Sequence, residues 1–194
     1  MRATMAGNAE LLRDRTVRGL LLAQWLPGWF VAGAESLIVP YTGSLGRPAS
    51  AAGPLLAAML IGDLLVGRFC APATRTRLAF PLAAAMGVPL LALVFRPPLP
   101  LACLALLACG AGFAYPLGIQ QAFLDSLPER RRGQGFGLNS TGMMGGQGLT
   151  PAVAGALAGA VGAAAAMAVA GAATALAALA LRGPLTGRSR GPAG

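Results

Sequence analysis

Six stretches of the chain stay apolar for about 20 residues at a time, the length at which a helix crosses the hydrocarbon core of a bilayer. They are predicted over residues 17–41, 51–71, 78–95, 99–124, 135–157 and 163–181. Breakers separate them: Thr42-Gly43-Ser44 followed by Arg47-Pro48, then Ala71-Pro72, Arg96-Pro97-Pro98 and Leu127-Pro128. The boundary between the fifth and sixth spans is the faintest, because residues 154–170 are almost continuous alanine and glycine. Composition points the same way. Hydrophobic residues make up 56% of the chain and charged residues 11%, against about 25% charged in a soluble domain. Its 15 basic and 6 acidic side chains cannot cover a soluble surface of this size. The expected fold is an all-α integral membrane protein of six transmembrane helices. The links are short, which makes sequential helices antiparallel neighbours.

Every basic residue is arginine, and histidine is absent. With the N-terminus inside, the cytoplasmic segments hold Arg2, Arg13, Arg15 and Arg18, then Arg68, Arg75 and Arg77, then Arg130, Arg131 and Arg132, and finally Arg182, Arg188 and Arg190. The outer links hold Arg47 and Arg96. This asymmetry is a positive-inside signal. It predicts a multi-pass protein of the cell (plasma) membrane with both termini cytoplasmic. Residues 1–18 form an inner tail, 19–182 the six-span domain, and 183–194 a second inner tail. The net charge of +9 then faces anionic lipid, and nucleic acid is not an expected partner. A cleaved leader is a competing reading of residues 13–34, with Ala32-Gly33-Ala34 as the cleavage site. Gln24, Pro27 and Gly28 interrupt its apolar stretch, so cleavage is not expected.

The absence of histidine removes serine–histidine and cysteine–histidine hydrolases, His-ligated haem and most catalytic zinc sites. A rhomboid-type intramembrane protease goes with them, since it too would need a histidine. Cys70, Cys103 and Cys109 sit in apolar runs without metal or disulfide spacing. The glycines Gly133, Gly135 and Gly137 lack the strand and the spacing of a phosphate loop. No Asn-Pro-Ala pair or carbonyl-filter sequence of a channel is present. No enzyme activity, cofactor or metal is expected.

Polar residues divide the spans. Spans one, two, four and five carry Gln24, Glu35 and Ser36; Asp63; Tyr115, Gln120 and Gln121; and Asn139, Ser140, Thr141, Gln147 and Thr150. Span three carries none of this kind, and span six only Thr174. Polar groups do not face lipid cheaply. Spans one, two, four and five are therefore expected to line an interior or a wet cavity, with three and six toward lipid. This order repeats every three helices, a hint of a three-plus-three repeat. Gln24, Gly28, Val31 and Glu35 fall on one helical face, and Asn139, Met143, Gly146 and Thr150 repeat the spacing. The stripes suit either tight helix packing with buried hydrogen bonds or a substrate path. Candidate path residues are Gln24, Glu35, Tyr115, Asn139, Gln147 and Thr150. Gly142/Gly146 and Gly155/Gly159 are small-x-x-x-small pairs expected to pack helices closely. Pro27 and Pro116 interrupt spans one and four and suit kinks or gates.

Glu35 and Asp63 are the carboxylates within spans, and such groups cost several kcal/mol unless paired or wet. At 1.5 Å per residue, Glu35 lies roughly 24 Å from the inner end of its span and Asp63 roughly 12 Å from the inner end of its own. The two should not touch. Glu35 is read either as a proton-coupling or cation-contacting group, or as an interfacial group solvated or capped by Arg47. Asp63 is read either as a gating group, or as a structural partner of Arg68 or Arg75.

These features together resemble one half of a major facilitator superfamily transporter. Arg132-Gly133, Gly137-Leu138, Gln147-Gly148 and Pro151 before Ala154-Gly155 are similar to that family's eleventh helix. The run from Gly62 and Asp63 to Gly67 and Arg68 resembles the second copy of its loop motif. It differs in spacing, and Leu64 stands where the motif has a basic residue. The N-terminal tail is similar to the loop that joins the two halves. The resemblance implies secondary transport of a small-molecule substrate, with Asp63 and Arg68 as gating or structural residues. A full member has about twelve spans in two halves. A lone half exposes the polar faces of spans one, two, four and five, so either a homodimer or a separate N-terminal half is expected as partner. An alternative is a truncated or split six-span module, inactive without that partner. A charge at Gly146 should disturb such pairing, and Ala85→Val on span three should not.

Overall fold

A computed structural model describes residues 2–186; the arginines Arg188 and Arg190 of the inner tail lie outside the described residues. Helices account for nearly all of them, and among the described residues there is no strand. The N-terminal tail is itself helical, as α1 (Arg2–Arg13). Asp14 then caps α2 (Arg15–Ser36): its carboxylate accepts hydrogen bonds from the backbone N–H of Thr16 at 2.7 Å and Val17 at 3.1 Å. Those donors would otherwise have no intrahelical partner.

Span one does not stop with α2. It breaks at Leu37 and resumes as α3 (Ile38–Ser44). A 3-10 turn at Ala49–Ala51 leads into α4 (Ala52–Phe69). Next comes α5 (Pro72–Ala92), whose proline sits in its first turn, where a missing N–H costs nothing. Span four is two helices, α6 (Leu99–Gly112) and α7 (Tyr115–Asp125). Pro116 starts the second of them. Pro27 leaves α2 continuous. After a 3-10 turn at Glu129–Arg131, α8 (Arg132–Val161) runs for 30 residues, about 45 Å. The faint boundary after it is made by Gly162, whose φ of 85° is a left-handed conformation that glycine alone adopts without strain. Then follow α9 (Ala163–Ala180) and the short α10 (Arg182–Leu185).

Among the described residues, four segments are long and apolar enough to cross a membrane: Ala49–Phe69, Thr76–Phe95, Leu99–Asp125 and Ala163–Ala180. Six were expected. The two that differ are α2 and α8. Both have the length, but Gln24, Glu35 and two tryptophans dilute α2, and many glycines with Asn139, Gln134 and Gln147 dilute α8.

Packing is organised in pairs. α2 lies along α8, α4 along α6, and α5 along α9. Residue matches show the first two pairs to be parallel: Gly28 meets Met143 and Gly33 meets Thr150 and Ala154, while Pro54 shares a cleft with Pro100 and Ile61 with Leu107. The third pair is antiparallel, with Gly87 against Ala175 and Gly171 against Leu90 and Leu91. α9 also packs on α2, and α5 on α6 and α7, which joins the pairs into one bundle. Thus α5 and α9 hold the middle of the packing, while α4 and α8 are its flanks. The buried core runs through Leu21, Val31, Met86, Leu90, Leu106, Tyr115, Phe123 and Met167.

Candidate functional site

Away from the basic end of the bundle, polar side chains meet at two places, and neither uses a residue of α5 or α9. The first joins α2, α7 and α8. The Asn139 amide donates to the Gln24 side-chain oxygen at 3.1 Å. The Trp25 indole N–H lies 2.9 Å from the Asn139 side-chain oxygen and 3.0 Å from its carbonyl. The Tyr115 hydroxyl donates to the Gln24 carbonyl at 2.8 Å. Gln24 is 3% exposed and Tyr115 1%. In an apolar surrounding, unbonded groups of this kind would each cost a few kcal/mol. The network satisfies them internally.

Glycine lets the two helices carrying this network approach. A side chain at Gly142 would collide with the Trp25 ring, and one at Gly146 with Trp29. The two indoles stack with centroids 5.7 Å apart and planes 7° apart, an arrangement worth about 0.5–1.5 kcal/mol. The two stripes read from the sequence therefore face each other: Gly28 against Met143, with Thr150 turned back onto the Gly146 carbonyl of its own helix. Gly146 sits beneath an indole within the chain, rather than on a surface offered to a partner. Gly155 and Gly159 have no neighbouring helix against them. Gln147 points outward and is exposed.

The second place is a pocket of about 430 Å³ between the end of α2, one face of α4 and the α6–α7 break. Glu35, Leu56, Met59, Leu60, Asp63 and Phe113 line it. The two carboxylates were expected at different depths and out of contact; both line this one pocket, with no bond between them. Leu56, Leu60 and Asp63 recur at helical spacing, which turns them to one side of α4. Gly62 and Gly110 set the depth of this arrangement. Gly62 lies on the Leu107 carbonyl and Gly110 on the Met59 carbonyl, so α4 and α6 touch backbone to backbone and Phe113 comes beside α4. Neither Glu35–Arg47 nor Asp63–Arg68 forms an ion pair. Among the described residues the ion pairs are Glu10–Arg131 at 2.8 Å and Glu129–Arg132 at 4.0 Å.

The basic end of the bundle is held by a clasp. α1 lies against α8, with the Gln134 amide donating to the Asn8 side-chain oxygen at 3.0 Å and Arg131 bonded to Glu10. The hydrogen bond and positive charge of Arg131 hold the Glu10 carboxyl below its ordinary range. Trp25, Trp29, Phe113 and Gly110 were not singled out from the sequence, and Gly62 only as part of the loop-motif resemblance. Trp25 and Trp29 stand four residues apart, as do Gly142 and Gly146, and that shared spacing was the available signal. Compared with known proteins, the chain matches no family model and no curated sequence.

Proposed function

We propose that this chain is a membrane transport module: one half of a facilitator-type secondary transporter, with six transmembrane helices in a three-plus-three arrangement. In this reading it is not an enzyme. Both termini lie in the cytoplasm of a plasma-membrane protein, and a small solute moves with proton coupling. One observation carries the reading. Gln24, Tyr115 and Asn139 join α2, α7 and α8, Glu35 and Asp63 share a pocket between α2 and α4, and the apolar α5 and α9 contribute to neither polar place. The pairing supports it too. Exchanging spans one, two and three with four, five and six turns the α2–α8 pair into the α6–α4 pair and leaves α5–α9 in place. Inverted or parallel repeats of this kind are common among transporters.

The path under this reading runs past Glu35 and Asp63. Gln24, Tyr115 and Asn139 serve as its bonded wall, because their polar groups are already engaged with one another. The test is proton flux into liposomes carrying the chain, read by an internal pH dye during challenge with separate panels of organic cations, sugars, amino acids and anions. One panel should drive solute-dependent proton flux, and Glu35→Gln, which removes the charge at nearly constant shape, should lower it and flatten its pH dependence. Unchanged pH dependence would take Glu35 out of the mechanism.

A second reading has its own observation. Gly133, Gly137, Gly145, Gly148, Gly155 and Gly159 of α8 all face open space, and such faces suit close approach of another helix. In that reading the chain is a split six-span module that is active only as a homodimer or with a separate N-terminal half. No flux from the chain alone, with flux restored by a second six-span chain, would select it.

A further inference from the structure

The pocket at the α6–α7 break has a lining whose chemistry selects its occupant. Its walls are Leu56, Met59, Leu60 and Phe113, and its polar groups are the carboxylates of Glu35 and Asp63. Ionised carboxylates only accept hydrogen bonds, and the other four side chains offer no N–H or O–H donor. A sugar or an amino acid would leave its own acceptors unmatched there, and an anion would meet two like charges. A cation would meet charge-assisted partners on two helices and the face or edge of one aromatic ring. The volume of about 430 Å³ falls within roughly 300–1,000 Å³, the range of pockets that hold drug-sized molecules, and the pocket is open, with Glu35, Leu56 and Leu60 exposed at its rim. The pocket lies between helices with different packing partners: α2 packs on α8 and α9, and α4 on α6.

We propose that this pocket binds a lipophilic organic cation, a drug-sized molecule with an apolar or aromatic body and one positive centre set between Glu35 and Asp63. This deepens the transport reading by giving it a substrate class. The binding itself does not require transport.

The probe is radiolabelled tetraphenylphosphonium, measured against the full chain in phosphatidylcholine nanodiscs, with empty discs as background. Saturable binding is expected. Glu35→Gln and Asp63→Asn should each weaken it by roughly tenfold or more, the value of a lost charged contact. Glu35→Asp and Asp63→Glu keep the charge and should retain binding, which separates loss of the site from loss of the fold. Tetraphenylborate has the same shape and the opposite charge, and should not bind above empty discs. The proposal is overturned by no saturable binding to the wild-type chain, by undiminished binding to the Glu35→Gln/Asp63→Asn double variant, or by equal binding of tetraphenylborate. Solute-driven proton flux with a different panel, in a chain that does not bind tetraphenylphosphonium, would sink the substrate class alone. Binding without any flux would support the site while removing the transport reading.

Discussion

The two flanks of the bundle, α2 with α8 and α4 with α6, are both parallel helix pairs built on glycine, yet they use it differently. In the α4–α6 flank the glycines meet backbone: Gly62 on the Leu107 carbonyl and the Ala111 nitrogen, Gly110 on Met59. In the α2–α8 flank they meet indole rings, Gly142 under Trp25 and Gly146 under Trp29, and polar side chains close the seam. Backbone cannot rotate away, and an indole can. Small residues that admit a neighbouring backbone set helix spacing directly, whereas a ring in a glycine notch sets it through a rotamer. The first flank is therefore a rigid edge beside the acidic pocket, and the second an adjustable seam around a buried polar network.

The largest effect should come from putting a branched side chain into the rigid edge. Gly110→Val places atoms on the Met59 backbone and should cost more than about 2 kcal/mol, the upper part of the range for overpacking. Thermal unfolding in detergent would register it, as would loss of crosslinking between cysteines placed at Ala57 and Leu104, which line one cleft. A tolerated Gly110→Val would mean that the two flanks are equally adjustable.

Gly146→Ala tests the seam. The Trp29 ring must turn, so the cost should be smaller, about 1–2 kcal/mol, with a change in tryptophan fluorescence as the stack opens. Because Gly146 is covered by Trp29, Gly146→Asp should damage this seam first and any pairing second. Ala85→Val on α5 should leave both readouts unchanged. Asn139→Ala comes next. It removes one of the two acceptors of the Trp25 N–H, leaving the Asn139 backbone carbonyl, and the donor to Gln24; polar bonds between membrane helices average about 0.6 kcal/mol. A red-shifted tryptophan emission without a large fall in melting temperature is the expected pair of results.

The smallest effect belongs to the clasp at the basic end. Glu10 has a lowered folded value, so its ion pair with Arg131 contributes at neutral pH. The contribution shrinks as the pH falls below the ordinary value of 4.5 and is lost below the lowered value. Proteolysis at Arg13 should accelerate over that acid range, and Glu10→Gln should remove the pH dependence. An unchanged cleavage rate across the range would mean that α1 is held without this pair.

Much of the architecture was legible because bilayer thickness and backbone satisfaction leave few choices for apolar runs of this length. The links followed from local sequence, whereas α8 runs past the expected end at residue 157 to Val161, and spans three and six, expected toward lipid, hold the middle of the packing as α5 and α9. The break of span four at Phe113 was not legible, since Pro116, the visible breaker, sits inside the first turn of α7 rather than at the junction. Gln24, Tyr115 and Asn139 were legible as inward-facing, but their joining was not, because it depends on which helices are neighbours in space. Glu35 and Asp63 show the same limit. Counting 1.5 Å per residue places each group along its own helix, and it does not say how wide a pocket between two helices is. The glycines Gly155 and Gly159 have the spacing of packed pairs, and spacing alone does not supply a partner.

The account stands or falls on whether the polar helices α2 and α8 cross the membrane beside the four apolar ones. Reporter fusions at the N-terminus, within residues 42–50 and after Arg190 decide it. With six spans, the fusion within residues 42–50 reports the side opposite to both termini, and the termini report the cytoplasm. If the fusion within residues 42–50 reports the same side as the N-terminus, α2 does not cross. If the fusion after Arg190 reports the outer side, the six-span reading fails outright.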